Sequence, residues 1–168
     1  MTNKTKKQRF PLRYLPLKLT SGEKKKQVNM LLKSRKLYKK GKYFTRGKLK
    51  SYKSVKSKHL NEVNKIYNIE KVGATEEMSK ATGCTKQALN DIIKKGEGAY
   101  YSSGSRPNQT AQSWGVARLA SSVTGGKAAV IDYNILKNGC KKTSKALKLA
   151  EKAIKKYGKT LRRAPKIA

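Results

Sequence analysis

Residues 74–96, ATEEMSKATGCTKQALNDIIKKG, spell out two short helices and the turn between them. Thr75 is placed to cap the first helix. Glu76 and Glu77 follow in its opening turn, where carboxylates offset the positive end of the helix dipole. Gly83 suits the left-handed residue that ends it. Thr85 then caps a second helix with Ala88, Leu89, Ile92 and Ile93 as apolar positions, closed by Lys94, Lys95 and Gly96. Two helices about a glycine-bearing turn make a helix-turn-helix pattern, with Met78, Leu89 and Ile92 in its buried places and small Ser79 at the close approach. Lys86, Gln87 and Asn90 fall at the start and outer face of the second helix, where base-reading side chains belong, and Gln and Asn can pair bidentately with adenine. Such hairpins also build all-α folds that never meet DNA, so the pattern fixes the helices before it fixes a role.

Working outward, helical spacing recurs on both sides. Upstream, SGEKKKQVNMLLKSRKLYKKG from Ser21 reads as a helix on Val28, Leu31, Leu32 and Tyr38, capped by Ser21 and stopped by Gly41. Residues 42–59 alternate Lys and Ser with aromatics and read as a loop ordered by contacts, after which Leu60, Val63, Ile66 and Tyr67 suit a short helix. Downstream, GEGAYYSSGSRPNQTAQSWG reads as irregular because of its Gly, Ser and Pro content. Ser113 is placed to cap a helix ended by Thr124-Gly125-Gly126. KAAVIDYNILK, residues 127–137, reads as one helix with Ala128, Ile131 and Ile135 on a face and Gly139 closing it. Thr143 or Ser144 caps the last, whose stripe is Leu147, Ala150 and Ile154, flanked by Ala146, Ala153 and Tyr157 and ended by Gly158. No strand pattern emerges. The expected fold is all-α: a small bundle of short helices with a helix-turn-helix-like pair, long ordered loops and an extended basic N-terminal arm.

Charge divides the chain. Of 168 residues, 42 are Lys or Arg and 9 are Asp or Glu, a net charge of +33. Residues 1–72 carry +20, residues 73–140 only +3, and residues 141–168 another +10. Solubility needs a net charge of only about 2–8 on a small domain, so this excess points to a polyanionic or crowded surrounding that relieves self-repulsion. Four segments are expected: an extended arm (1–20), a Lys-rich helical and loop segment (21–72), a helical core (73–158) and a basic tail (159–168). Pro11 and Pro16 argue against helix in the arm, whose Leu12, Tyr14, Leu15, Leu17 and Leu19 dock on a neighbour or on the chain's own core. Lysine outnumbers arginine 34 to 8. A lysine is a point charge, whereas arginine suits bidentate recognition, so the composition favours salt-sensitive, sequence-indifferent attraction. Tyr38, Tyr43, Phe44 and Tyr52 lie among these lysines, where rings stack on the bases of a single strand or pack against the core.

Catalysis has little to work with. His59 is the only histidine, the nine acids fall mainly at exposed helix positions, and GEGAYYSSGS lacks the Gly-Lys-Ser/Thr of a phosphate loop. An enzyme is not expected, nor a cofactor, metal or small-molecule substrate. Cys84 and Cys140 have no metal-ligand spacing and read as free thiols of a reducing compartment, with one disulfide as the alternative. No apolar run reaches a membrane span, and the opening MTNKTKKQRFPLRYLPLKL lacks an apolar core, so secretion is not expected. Tyr100, Tyr101, Arg106, Asn108, Gln109 and Trp114 crowd one Gly-rich stretch: either a self-packed loop whose amides satisfy backbone, or a docking or nucleic-acid surface.

That stretch carries a resemblance. Residues 98–110, GAYYSSGSRPNQT, within the longer run from Lys94 to Cys140, resemble the signature block of a basic protein family of large double-stranded DNA viruses, algal viruses among them, and of some tailed phages. KSRKLYKKGKYFTRGKLKSYKSVKSKH is similar to that family's Lys-rich N-terminal portion, so the likeness covers roughly residues 11–155. The family has no established activity and carries over no catalytic residues. The resemblance implies a viral origin and a place in the virion: a minor capsid protein inside the shell, passing through host cytoplasm or nucleus during assembly. Its expected partners are the major capsid protein and other capsid proteins, with double-stranded DNA or an anionic membrane surface as further candidates. Non-enzymatic DNA binding, by genome organisation or by the helix-turn-helix, is the alternative. The candidate contacts are Lys39, Lys40 and Arg46 together with Lys86, Gln87, Asn90 and the loop residues named above.

Overall fold

Local signals account for most helix boundaries in the computed structural model, which describes residues 10–161. Eight α-helices occur among them: α1 (Ser21–Lys39), α2 (Lys58–Tyr67), α3 (Glu76–Thr82), α4 (Lys86–Ser102), α5 (Ala111–Val123), α6 (Lys127–Ile131), α7 (Tyr133–Gly139) and α8 (Lys145–Tyr157). The all-α expectation holds; the nearest approach to a strand is one antiparallel bridge between Cys84 and Cys140. Thr75 caps α3 by accepting from the Met78 N–H, and Gly83 ends it at φ +73°. Thr85 Oγ1 accepts from the Ala88 N–H at the start of α4. Met78, Leu89 and Ile92 are fully buried, as the hairpin pattern requires.

The chain forms two compact units whose limits differ from the four expected segments. The first takes Met1–Ser54 with Tyr101–Gln109, and the second Val55–Tyr100 with Thr110–Ala168. Side chains explain the reassignment of 101–109: Ser34 donates to the Tyr101 carbonyl, Arg35 donates twice to the Ser103 carbonyl, and Asn108 binds the backbone at Leu49 and Tyr52. Residues 10–20 are not an extended arm. Leu12–Tyr14 form a 3-10 turn, Tyr14 and Leu19 are buried, and the Tyr14 carbonyl accepts from the buried Gln27 amide of α1. Residues 1–9 of the expected arm and 162–168 of the tail lie outside the described residues.

In the second unit, α8 packs on α5, α6 and α7, and α5 on α2. Ser144 caps α8 and buries Ala146, Leu147, Ala150 and Ala153. Three expectations need correction. First, α4 runs on to Ser102 through residues whose composition reads as loop. Gly96 serves a close crossing: a Cβ there would stand 2.5 Å from the Gly115 Cα of α5. Second, Thr110 and not Ser113 caps α5; Ser113 is its reciprocal partner in a capping box. Third, residues 127–139 break at Asp132 into α6 and α7, and the core face is Ala129, Val130, Tyr133 and Leu136, leaving Ile131 exposed.

Gly96→Ala should destabilise the protein by up to about 2 kcal/mol. The helix-propensity gain of about 1 kcal/mol is outweighed by overpacking, which costs about 1–3 kcal/mol, against a backbone that cannot retreat like a side chain. A raised melting temperature in this variant would refute the steric reading of the crossing.

Cys84 and Cys140 form a disulfide, so the free-thiol expectation is corrected. Backbone bonds lie on either side of it, Thr85 N–H to the Gly139 carbonyl (2.8 Å) and Lys141 N–H to the Gly83 carbonyl (2.9 Å). Tyr67 donates to the Val123 carbonyl at 2.6 Å, and burial raises its phenol far above the usual range. Burial, reinforced by neighbouring Lys58 and opposed by Glu62, lowers the His59 imidazole from its ordinary value.

Candidate functional site

The first unit carries more than half of the chain's net charge. It contains 20 Lys or Arg and one acid, a net charge of +19. That acid, Glu23, is already engaged: its carboxylate accepts from the Ser51 N–H at 3.0 Å and from the Ser51 hydroxyl. The four ion pairs among the described residues all lie in the other unit. Among the described residues no lysine of this unit has an ion-pair partner within it, so its neutralisation must come from outside.

Why this cationic chain stays folded follows from its buried face. Thr20 caps α1 through the Glu23 N–H, one residue ahead of the expected Ser21. Gln27, Leu31 and Ser34, spaced four and three apart, are the buried residues of α1, whereas Leu32 and Tyr38 of the expected stripe are exposed. The inner face is thus partly polar and works through hydrogen bonds. Arg46 is 6% exposed and reaches Ser34 Oγ (3.1 Å) and Ser105 Oγ (2.8 Å). Asn108 sits at φ +60°; its Oδ1 accepts from Leu49 N–H (2.7 Å) and its Nδ2 donates to the Leu49 (3.1 Å) and Tyr52 (2.6 Å) carbonyls. With the interior held by these bonds, Lys39, Lys40, Lys42, Lys48, Lys50 and Lys53 remain exposed.

The candidate contacts sort accordingly. Lys39, Lys40 and Arg106 are exposed in the first unit, with Tyr101 and Gln109 half-buried. Arg46 and Asn108 are engaged in hydrogen bonds within the unit, and Tyr100 is fully buried. In the second unit Trp114 and Asn90 are half-buried. Lys86 pairs with Glu76 at 2.6 Å, and the Gln87 amide donates to Asp91 at 2.8 Å. Gln87 and Asp91 line a groove with Asn134, Ile135 and Asn138 of α7, so the outer face of α4 is flanked and not free-standing. In the sequence Tyr38 and Tyr43 lie together among the lysines, whereas Tyr101 belongs to the distant Gly-rich stretch. The structure gathers them, with ring centroids 4.9 Å apart for Tyr43 and Tyr101, 6.4 Å for Tyr38 and Tyr101, and 6.3 Å for Tyr38 and Tyr43. Phe44 lies under Lys33, whose Nζ is 4.5 Å from the ring centroid.

No helix among the described residues is long and apolar enough to cross a membrane, and no group of three or more His, Cys, Asp or Glu is placed to hold a metal ion. Fold and surface together define a small all-α protein with one strongly cationic, uncompensated unit. The chain belongs to the family of unknown function DUF5824, matched over residues 11–148. No curated protein and no solved structure matches it.

Proposed function

We propose that the protein is a non-enzymatic structural component of a virus particle, a minor capsid protein on the inner side of the shell whose cationic unit is neutralised by a polyanionic neighbour. The observation that carries this reading is the net charge of +15 on the described residues of the first unit, 10–54 and 101–109, whose single carboxylate is spent internally. The viral resemblance of residues 98–110 supports the setting. The fold supports the physical role, since residues 10–54 hold lysines outward on a fixed scaffold and do not trail as a solvated tail. Particle proteomics and image reconstruction test the setting: the protein should be present at reproducible copy number in purified particles, and confinement to infected-cell extracts would overturn it.

Electrostatics supplies a second, independent measurement. Binding to nucleic acid should be indifferent to sequence and should weaken by about 10³-fold or more between 50 and 200 mM salt if roughly six or more phosphates are met. Salt-independent binding would remove the premise. Genome organisation is the second reading, favoured by the same lysine excess. Base-specific regulation through α4 gains no support, because the Gln87 amide is held by Asp91 within a groove flanked by α7.

A further inference from the structure

The three tyrosines of the first unit are brought together by backbone geometry. At the end of α1, Gly41 takes φ +72°, the Gly41 N–H bonds to the Tyr38 carbonyl (3.0 Å) and the Lys42 N–H to the Leu37 carbonyl (2.9 Å). This left-handed turn folds the chain back and sets Tyr43 beside Tyr38. Tyr101 joins them from the end of α4, its backbone carbonyl accepting from Ser34. The rings lie against one another at the surface: Tyr43 is 71% exposed and Tyr38 36%, with Tyr101 half-buried behind them. Lys39, Lys40 and Lys42, all exposed, lie on the same turn. An aromatic side chain normally buries 150–250 Å², roughly, in a core or interface, so rings left at the surface within a lysine cluster have the composition of a contact and not of a core.

We propose that Tyr38, Tyr43 and Tyr101 form a stacking platform for the bases of a single-stranded nucleic acid, with Lys39, Lys40 and Lys42 taking its phosphates. The inference rests on the polyanion-binding reading and narrows it to one class of partner. Duplex bases are already stacked on each other, whereas an unpaired base offers its flat face to a ring. Charge complementarity selects nucleic acid over an apolar protein segment, because a neutral segment would leave the flanking lysines facing one another uncompensated. Stacking also tolerates any base, in keeping with the lysines that flank the rings.

The test compares a fluorescent oligo(dT) of about 20 nucleotides with an abasic strand of equal length and charge, by anisotropy on the full-length protein at fixed salt. Oligo(dT) should bind about tenfold or more tightly than the abasic strand. Tyr43→Leu with Tyr38→Leu should erase that difference while leaving abasic-strand and heparin binding unchanged, and Tyr43→Phe, which keeps the ring, should preserve it. Equal affinity for the two strands in the wild type, or an undiminished difference in the double variant, overturns the platform and leaves the rings to a protein contact. Loss of heparin and of both strands alike in the wild type would bring down the polyanion reading as well, which separates the two failures.

Discussion

Replacing Cys84 and Cys140 together by alanine should lower the melting temperature of the helical unit by roughly 10–20 °C. The disulfide joins the turn between α3 and α4 to the residue after α7, at a sequence separation of 56. Closing a loop of that length removes denatured-state entropy equivalent to about 4 kcal/mol. Both cysteines are buried within the same apolar cluster, so the alanines add a smaller packing loss to the entropic one. The backbone bonds beside the bridge, Thr85 to Gly139 and Lys141 to Gly83, remain possible without it, and the native fold should persist at low temperature. Thiol titration in denaturant provides the companion measurement: no reactive thiol before reduction and two afterwards. Two thiols in the unreduced, unfolded protein would remove the basis for the predicted loss.

Local chemistry was readable where its partners lie within a few residues. Thr75, Gly83 and Thr85 act on backbone groups close by, and the turn they delimit is present as read. The reading failed where a residue answers to something far along the chain. Gly96 looks like a helix stop until Gly115 is seen to need its space. Asp132 looks like a polar residue within a helix until Arg118 claims it from 14 residues away. Arg46 looks like one more surface cation, yet it is buried between Ser34 and Ser105.

A signal for these last cases did exist. In a chain that takes its charge from lysine, 34 to 8, an arginine has a reason to be one. Arg35 donates twice to the Ser103 carbonyl and lies over Phe10, Arg46 bridges two serines, and Arg118 forks onto a carboxylate. Each use exploits the planar, multi-donor guanidinium that lysine cannot imitate. Division of labour between the two cations separates scaffold from surface: Arg35, Arg46 and Arg118 mark where this fold is held, and the exposed lysines mark where it faces outward. The candidate surface was half legible on the same logic, because its lysines are evident in composition while the convergence of Tyr38, Tyr43 and Tyr101 depends on a turn and a distant helix end.

Asp132→Ala should destabilise the helical unit by about 3–5 kcal/mol, the largest effect expected of a single substitution. Eight carboxylates lie in that unit, and this is the one that is buried. Arg118 binds it through Nε (2.9 Å) and Nη2 (2.7 Å), the buried Ser122 hydroxyl donates at 2.8 Å, and Lys95 stands 3.5 Å away. The residue also ends α6 and begins α7, its N–H bonded to the Ala128 carbonyl and its carbonyl to the Leu136 N–H. Truncation strands a guanidinium whose side chain is 19% exposed and leaves Ser122 without its acceptor. The cost therefore comes less from the lost attraction than from the partners left behind in a poorly solvated site. A double-mutant cycle separates the two contributions: Arg118→Met with Asp132→Leu, measured by urea denaturation, should recover most of the stability lost in Asp132→Ala. Losses that simply add would mean that Asp132 and Arg118 act independently, and that the break between α6 and α7 has another cause.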